Sequence, residues 1–432
     1  MLLLAAAILS GCKTVSSSNQ NNFSHFIGLT NFSNFSCSQN GNGETVLLSP
    51  EIKSRIPWNE LVVSWNATAP IGSYLKIEAR AIGANRNTKF YAMGLWTPDD
   101  KVFPRASVSG QKDSDGDVKV DTLVLNQLAD AVQVRLTLGN TNGELPSLKL
   151  LGLSFCNTKI TPEILPPNRA AWGKIIPTPE RSQQSYPGGG GWCSPTSLSM
   201  ALARWGTVAQ RADWNLDAPE VAVGVLDHNF KKATGNWSFN TAFAGSLNGM
   251  RAYVTRFGDI SELEDWIAAG IPVIISARYD LLQDGRAEDL NGHLTICRGF
   301  TENGDLVIND PWTDIKVESV RHITNGKTSF ARGRLHIIPF ILSIPKTSNH
   351  LATVSGIGNL LMSAARKFIL AILLPLSAVI FCGCKTVSPP VKSNFSRFVG
   401  IENFQISHVR KTKMDRWFYC RQKSTPKFRG TN

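Results

Sequence analysis

Three side chains in this 432-residue chain have the types and settings that thiol-based acyl transfer needs. Cys193 stands in Gly191-Trp192-Cys193-Ser194-Pro195-Thr196-Ser197, behind the four glycines 188–191 and ahead of a helical stripe of Leu198, Ala201, Leu202 and Trp205. Glycines there let the backbone approach a ligand closely. Ser194 reads as the N-cap and Pro195 as the first helical residue. A cysteine at that junction feels the positive end of the helix dipole, which favours thiolate. The plain alternative for Cys193 alone is a small buried core residue. A thiolate needs a base, and the base an orienting group. His293 opens an apolar run, Gly292-His293-Leu294-Thr295-Ile296-Cys297, and Asp310 closes the next one in Val307-Ile308-Asn309-Asp310-Pro311-Trp312. A short turn around Glu302-Asn303-Gly304 makes the two runs a hairpin. The start of its first strand then lies beside the end of its second, which sets His293 and Asp310 side by side as base and orienter. Gln183 and Gln184, just upstream of Cys193, are candidate oxyanion donors, with the Cys193 backbone N–H as the second donor.

The elements that must position these groups fall into two domains. Over residues 45–157 the pattern is β: Leu75, Ile77 and Ala79 alternate with charged residues, and Val132, Val134, Leu136 and Leu138 with polar ones. Short strands between turn clusters predict a sandwich. Residues 158–181 hold Pro162, Pro166, Pro167, Pro177 and Pro179 and read as an extended linker. Residues 182–345 turn to helix first and strands later, an α+β domain. Within it a helix starts at Ser261 with a capping box and stops at Gly270, and strands are expected at 271–277, 294–300 and 305–308. Past about Lys327 the expected last strands are hard to find.

The ends of the chain carry a different signal. An apolar start running into Leu9-Ser10-Gly11-Cys12 looks like a lipoprotein signal peptide over 1–11, with Cys12 as the lipid-modified residue and 12–44 as a tether. Export makes a Cys37–Cys156 disulfide an open possibility. Residues 362–383 again have a charged start, an apolar stretch and a Gly383-Cys384 ending, in signal-peptide order. The basic tail 384–432 then repeats the mature N-terminus: 13 of 22 positions are identical between 11–32 and 383–404. A neighbouring paralogous gene joined to this one explains that repeat; a C-terminal hydrophobic anchor is the rival. The net charge of +12 is concentrated there, because 366–432 holds 13 Lys and Arg against Glu402 and Asp415. The rest is nearly neutral, so the basic balance implies no nucleic-acid partner.

Several motifs together resemble a known family. They are Gln183, Tyr186-Pro187, Trp192-Cys193-Ser194-Pro195-Thr196-Ser197, Asp227-His228, Gly235-Asn236-Trp237-Ser238-Phe239-Asn240-Thr241-Ala242, Gly292-His293-Leu294 and Asn309-Asp310-Pro311. They look like the bacterial cysteine peptidase-like proteins related to the bacteriocin-processing peptidases, peptidase family C39, of papain-like fold. Ser64-Trp65-Asn66-Ala67 and Asp121-Thr122-Leu123-Val124-Leu125 match the galactose-binding-like β-sandwich found ahead of such domains, so the resemblance covers roughly 45–320. It implies a Cys193 nucleophile, a His293 base, an Asp310 orienter and an oxyanion glutamine, for which Gln183 aligns better than Gln184. No cofactor is implied. Without a Walker A motif, the chain is not the transporter-fused form.

Other residues weigh less. Trp192, His228 and Trp237 are candidate substrate contacts. Asp113, Asp115 and Asp117 share one loop, but no glutamate follows at the EF-hand spacing, and a solvated turn explains them better than Ca²⁺. No Cys or His pair shows zinc spacing. The expectation is an exported lipoprotein hydrolase acting on a peptide, protein or peptide-like amide in the cell envelope, held to the membrane through Cys12. The alternative is a catalytically weak binding lipoprotein whose sandwich grips glycan or protein.

Overall fold

The computed structural model of the protein describes residues 22–83, 87–229, 234–278, 292–313, 321–323 and 338–343. Cys12, the segment 362–383 and the tail 384–432 lie outside the described residues. Among the described residues no helix is long and apolar enough to cross a membrane.

The first domain is a curled antiparallel sheet. Its strands are β1 (Ser24–Leu29), β2 (Ser36–Gln39), β3 (Thr45–Leu48), β4 (Ile52–Thr68), β5 (Ser73–Ile82), β6 (Tyr91–Trp96), β7 (Gly116–Lys119), β8 (Thr122–Asn140) and β9 (Ser147–Cys156). Among the described residues these nine are hydrogen-bonded into one sheet along the path β1-β9-β4-β8-β3-β2, with β5 and β7 also on β8 and β6 on β5. Curling follows from the length of β4 and β8, 17 and 19 residues, because each pairs different neighbours along its course. β8 meets β7 near its start, and β5 and β3 toward its end. Register shifts between Lys53 and Glu60 bend the β4–β8 ladder. The alternating residues Leu75, Ile77, Ala79, Val132, Val134 and Leu136 are buried as their period requires, around Trp58, Trp65, Trp96 and Phe155.

Two expectations at this end are corrected. The tether 12–44 contributes β1 and β2 to the sheet, and β1 pairs β9 over six residues. Phenylalanine content explains this, because Phe23 and Phe35 are buried where serine and asparagine suggest a solvated coil. Cys37 and Cys156 do not pair: both are free, Cys37 exposed on β2 and Cys156 buried at the end of β9. Strands β4, β8 and β3 lie between them in the sheet.

The second domain is α+β as its pattern predicts. It holds α1 (Cys193–Ala209), α2 (Ala218–Val225), α3 (Trp237–Ser246), β10 (Arg251–Val254), α4 (Ile260–Ala268), β11 (Val273–Arg278), β12 (Gly292–Phe300), β13 (Leu306–Asn309), β14 (Arg321–Ile323) and β15 (Ile338–Ser343). Among the described residues the sheet order is β10-β15-β11-β12-β13-β14. The last strand, hard to find in the sequence, is therefore internal, paired with β10 on one side and β11 on the other. Pro339, which stands opposite Ile275, interrupts its apolar run and disguises it. α4 is capped by Asp259, which accepts from the Ser261 N–H, rather than by Ser261 itself.

The linker 158–181 is only partly a linker. Ala171 and Ile176 enter the second domain's core. Ile176 N–H donates to the Arg298 carbonyl at 2.7 Å, and Phe300 N–H to Lys174 at 3.0 Å. That contact needs glycine at 299, where a Cβ would stand 2.2 Å from the Lys174 oxygen. Buried Glu264 on α4 fixes the same segment, accepting from the Asn168 N–H and the Trp172 indole.

Helix α3 joins the domains. Phe239 and Ala242 belong to the core of the curled sheet, where the Phe239 ring lies 6.1 Å from Trp65 and 5.9 Å from Trp96. Ser238 Oγ donates to the Val63 carbonyl. Asn66 Nδ2 donates to the Thr241 and Ala252 carbonyls and its Oδ1 accepts from Ala252 N–H, so β4 is tied to α3 and β10 together.

Candidate active site

Cys193 is the first residue of α1, and its N-cap is Trp192, which makes no side-chain cap. Ser194 is thus inside the helix rather than its cap, and Pro195 is the third helical residue rather than the first. The difference matters chemically. A capping side chain would consume N–H groups of the first turn; here the Ser194 N–H acts instead to lower the Cys193 thiol pKa. The Leu294 N–H acts on the thiol in the same sense, while the Leu294 carbonyl accepts from Ser197 Oγ at 3.2 Å. One residue of β12 therefore ties α1 to the strand one turn after the thiol. That tie fixes Cys193 against the strand that carries His293.

His293 and Asp310 meet as the hairpin predicts. The β12–β13 register pairs Ile296 with Asn309, and one further step sets Asp310 opposite Thr295, diagonal to His293 on the same face. His293 Nε2 and Asp310 Oδ1 are 2.6 Å apart, with both side chains buried. The same oxygen accepts the Trp312 N–H at 2.9 Å. Behind it, Pro311's carbonyl accepts the Gln183 N–H at 2.8 Å, and Asn309 Nδ2 reaches the Thr178 and Pro179 carbonyls. With Nε2 engaged by Asp310, Nδ1 is the ring nitrogen left for the thiol, whose pKa His293 acts to lower.

The electrostatics single this thiol out. Burial acts to raise the Cys193 pKa, but the His293 hydrogen bond and charge, aided by the Leu294 and Ser194 N–H groups, hold it below the ordinary thiol value. Cys297 on the same strand and Cys156 in the curled sheet lack such partners, and burial pushes each up to about 12. The half-buried Cys193 is thus held low by its neighbours, where the two buried cysteines are pushed up by burial.

The remaining expected residues are placed as follows. Gln183 is fully buried and Gln184 exposed. Gln183 Nε2 donates to the Gly189 carbonyl at 3.0 Å, which shapes the glycine loop. Gly189 has no alternative there, since a Cβ would lie 2.0 Å from the Gln183 carbonyl. Trp192 is half-buried beside Cys193, its ring 6.3 Å from Tyr186. The imidazole of His228 is turned to the first domain, 2.6 Å from Asp100 Oδ2. Trp237 donates its backbone N–H to Asp121 Oδ2 at 2.6 Å. Asp113 is a turn residue: it accepts from the Asp115 and Gly116 N–H groups and pairs with Lys89. Among the described residues no cluster of acidic, His or Cys side chains is arranged to hold a metal ion.

Sequence reasoning gives Ser194 only a capping role, and gives Thr234 and Asn240 none. Ser194 Oγ donates to Asn240 Oδ1 at 2.9 Å, and Thr234 Oγ1 to the Gly191 carbonyl at 3.1 Å. The signal for Asn240 is the 235–242 run, which marks a motif without saying what it touches.

Residues 175–334 match the Peptidase_C39 like family, and residues 41–155 match the Peptidase C39 N-terminal domain. The chain belongs to the C39-like peptidases. Membership carries a cysteine peptidase-like function at the family level. Cys193, His293 and Asp310 all fall within the C39-like region, and the curled sheet corresponds to the family's N-terminal domain. No curated protein matches the chain. Among solved structures, those of the infectious bursal disease virus Gt and Gx strains match at 13% identity, with TM-scores of 0.20 and 0.19. Each covers 35% of this chain, which spans 38% and 37% of theirs. At those values the likeness carries no weight for fold or function.

Proposed function

We propose that the protein is an exported, lipid-anchored cysteine peptidase-like hydrolase that cleaves a peptide or peptide-like amide in the cell envelope. The observation that carries this reading is the Cys193 thiol, held low by a His293 whose other nitrogen is bound to Asp310. In the first step the thiolate attacks the amide carbonyl carbon, and the imidazolium of His293 gives its proton to the departing amine as the C–N bond breaks. Water then adds to the thioester, its proton passing to His293, and the acid leaves as the thiolate re-forms. Asp310 keeps the imidazole oriented and supports its charged form. The Cys193 N–H and Gln183 serve the oxyanion; Gln183 Nε2 has a second hydrogen beyond the one given to Gly189. Trp192 and Tyr186 form an aromatic wall for the substrate chain next to the thiol. His228 and Trp237 act through the first domain rather than on the substrate.

We read the C39-like domain as papain-like, since a helix bearing the thiol packs on an antiparallel sheet bearing the histidine. The first domain is read as galactose-binding-like, and a glycan of the envelope is its proposed ligand. Lipidation at Cys12 would supply the membrane attachment.

The test is amide hydrolysis across a peptide library by wild type and Cys193→Ser, with intact-mass detection of an acyl-enzyme. Turnover by wild type and none by the variant supports the reading. Equal inactivity of both proteins, with Cys193 alkylated no faster than an ordinary thiol, overturns it in favour of a binding lipoprotein. Mass analysis of membrane-extracted protein tests the anchor, which fails if Cys12 carries no lipid.

A further inference from the structure

The two sides of Cys193 are held by α3, and α3 is held by the first domain. Asn240 accepts the Ser194 hydroxyl, and its Nδ2 donates to the Thr234 and Asn236 carbonyls at 2.8 and 2.7 Å. Thr234 in turn donates to Gly191, so residues two before and one after the cysteine are tied to one asparagine-centred cluster. Asn240, Asn236 and Ser194 are all buried, which makes each of these bonds costly to lose.

Two carboxylates, one from each domain, seat the start of α3. Asp121 of the curled sheet accepts the Trp237 N–H in the first turn, and its other oxygen accepts the Thr122 hydroxyl. Asp227 of the C39-like domain accepts Asn236 Nδ2 at 3.1 Å and reaches back to the first domain through the Ser107 N–H at 3.0 Å. Each domain's carboxylate thus binds a backbone N–H of the other domain. Phe239, one residue before Asn240, is buried among Trp65 and Trp96 of the first domain. A Cβ on Gly94 would lie 2.9 Å from that ring, so the sheet is shaped to receive it.

We infer that the first domain is a working part of the thiol site: through Asp121 and the Phe239 socket it fixes α3, and Asn240 on α3 is a positioning residue that sets Cys193 through Ser194. This rests on the reading of Cys193 as the nucleophile. Neither Asp121 nor Asn240 touches substrate; both act through the backbone around the thiol. The first domain then serves catalysis whatever ligand its outer surface binds.

The experiment measures the pH dependence of Cys193 alkylation by iodoacetamide, read by peptide mass mapping in the full chain, for wild type, His293→Ala, Asp121→Ala, Asp121→Asn, Asn240→Ala, Ser194→Ala and the Asn240→Ala/Ser194→Ala pair. Asp121→Ala should slow neutral-pH alkylation by roughly three- to tenfold, the effect of losing one buried hydrogen bond. Asp121→Asn, which keeps an acceptor for the Trp237 N–H, should restore most of it. Asn240→Ala and Ser194→Ala should each slow it, and the double variant should be no slower than the worse single one. Fast wild-type alkylation that is unchanged in Asp121→Ala, or strictly additive effects in the Asn240–Ser194 cycle, overturns the inference while leaving the nucleophile intact. Wild-type alkylation at an ordinary rate, unaffected by His293→Ala, instead removes the nucleophile reading itself. If Asp121→Ala does not fold, Phe239→Leu, which loosens the socket on the first domain, takes its place: slower alkylation supports the inference and an unchanged rate overturns it.

Discussion

Cys193 is flanked by two corners built on opposite principles. The His293–Asp310 corner is local: its members are 17 residues apart on one hairpin, and a single 2.6 Å contact joins them. The α3 corner is assembled from afar, with Asp121 meeting Trp237 across 116 residues and Val63 meeting Ser238 across 175. The first corner sets the charge of the sulfur, because its imidazole shifts the thiol towards thiolate. The second sets where the sulfur sits, because it holds Ser194 and Gly191. Chemistry is thus supplied within one domain and geometry is shared between two. Damage to the first should abolish reactivity, and damage to the second should detune it while loosening the domain junction.

The largest expected break in this contrast is His293→Ala. Amide hydrolysis should fall by about 10²- to 10⁴-fold, the range for losing a general base, and stability should fall with it because Asp310 is left buried without its partner. At the other corner, Phe239→Ala should leave a cavity between Trp65 and Trp96 and cost about 3–5 kcal/mol in denaturant unfolding. An undiminished stability would mean that α3 is not socketed in the sheet. Gln183→Ala sharpens the division of labour between thiolate and oxyanion. Its kcat should drop by about 10²- to 10³-fold while alkylation of Cys193 is nearly retained. Parallel losses in both would make Gln183 a prop for the glycine loop only.

A smaller effect concerns pH. Burial raises the Asp121 carboxyl to about 7 from its ordinary 3.8, against the Trp237 and Thr122 hydrogen bonds, with Asp227 adding to the rise. A raised carboxyl pKa gives stability that is complete below the unfolded value and is lost as pH climbs through the folded one. Asp121→Asn carries no such charge. Its stability relative to wild type should therefore improve between about pH 4 and about pH 7 and then level off, as measured by urea unfolding at a series of pH values. A constant difference across that range would show that Asp121 is ionised without cost. Least of all, Cys37→Ser should change stability by no more than about 0.5 kcal/mol, since Cys37 is exposed and free.

How much of this was legible in the sequence follows the same division. The His293–Asp310 corner was readable because a hairpin converts a short sequence separation into contact, and apolar alternation with Asn303-Gly304 marks the hairpin. The start of α1 was read two residues late, because Ser194-Pro195 imitates a cap that the site does not use. Strands β1 and β15 were hidden, the one in a serine- and asparagine-rich stretch and the other behind Pro339. The α3 corner was illegible for a physical reason. Asp121, Phe239 and Asn240 lie in runs that the sequence marks as motifs, but what each touches depends on partners 46 to 174 residues away, for Asp121 and Phe239 across the domain junction.

The pH–rate profile of Cys193 alkylation in wild type and His293→Ala tests the central claim most directly. A thiolate held by His293 predicts that wild-type alkylation stays fast well below the ordinary thiol range, and that the variant's profile moves up to or above that range. Superimposable profiles with an ordinary thiol midpoint would contradict it.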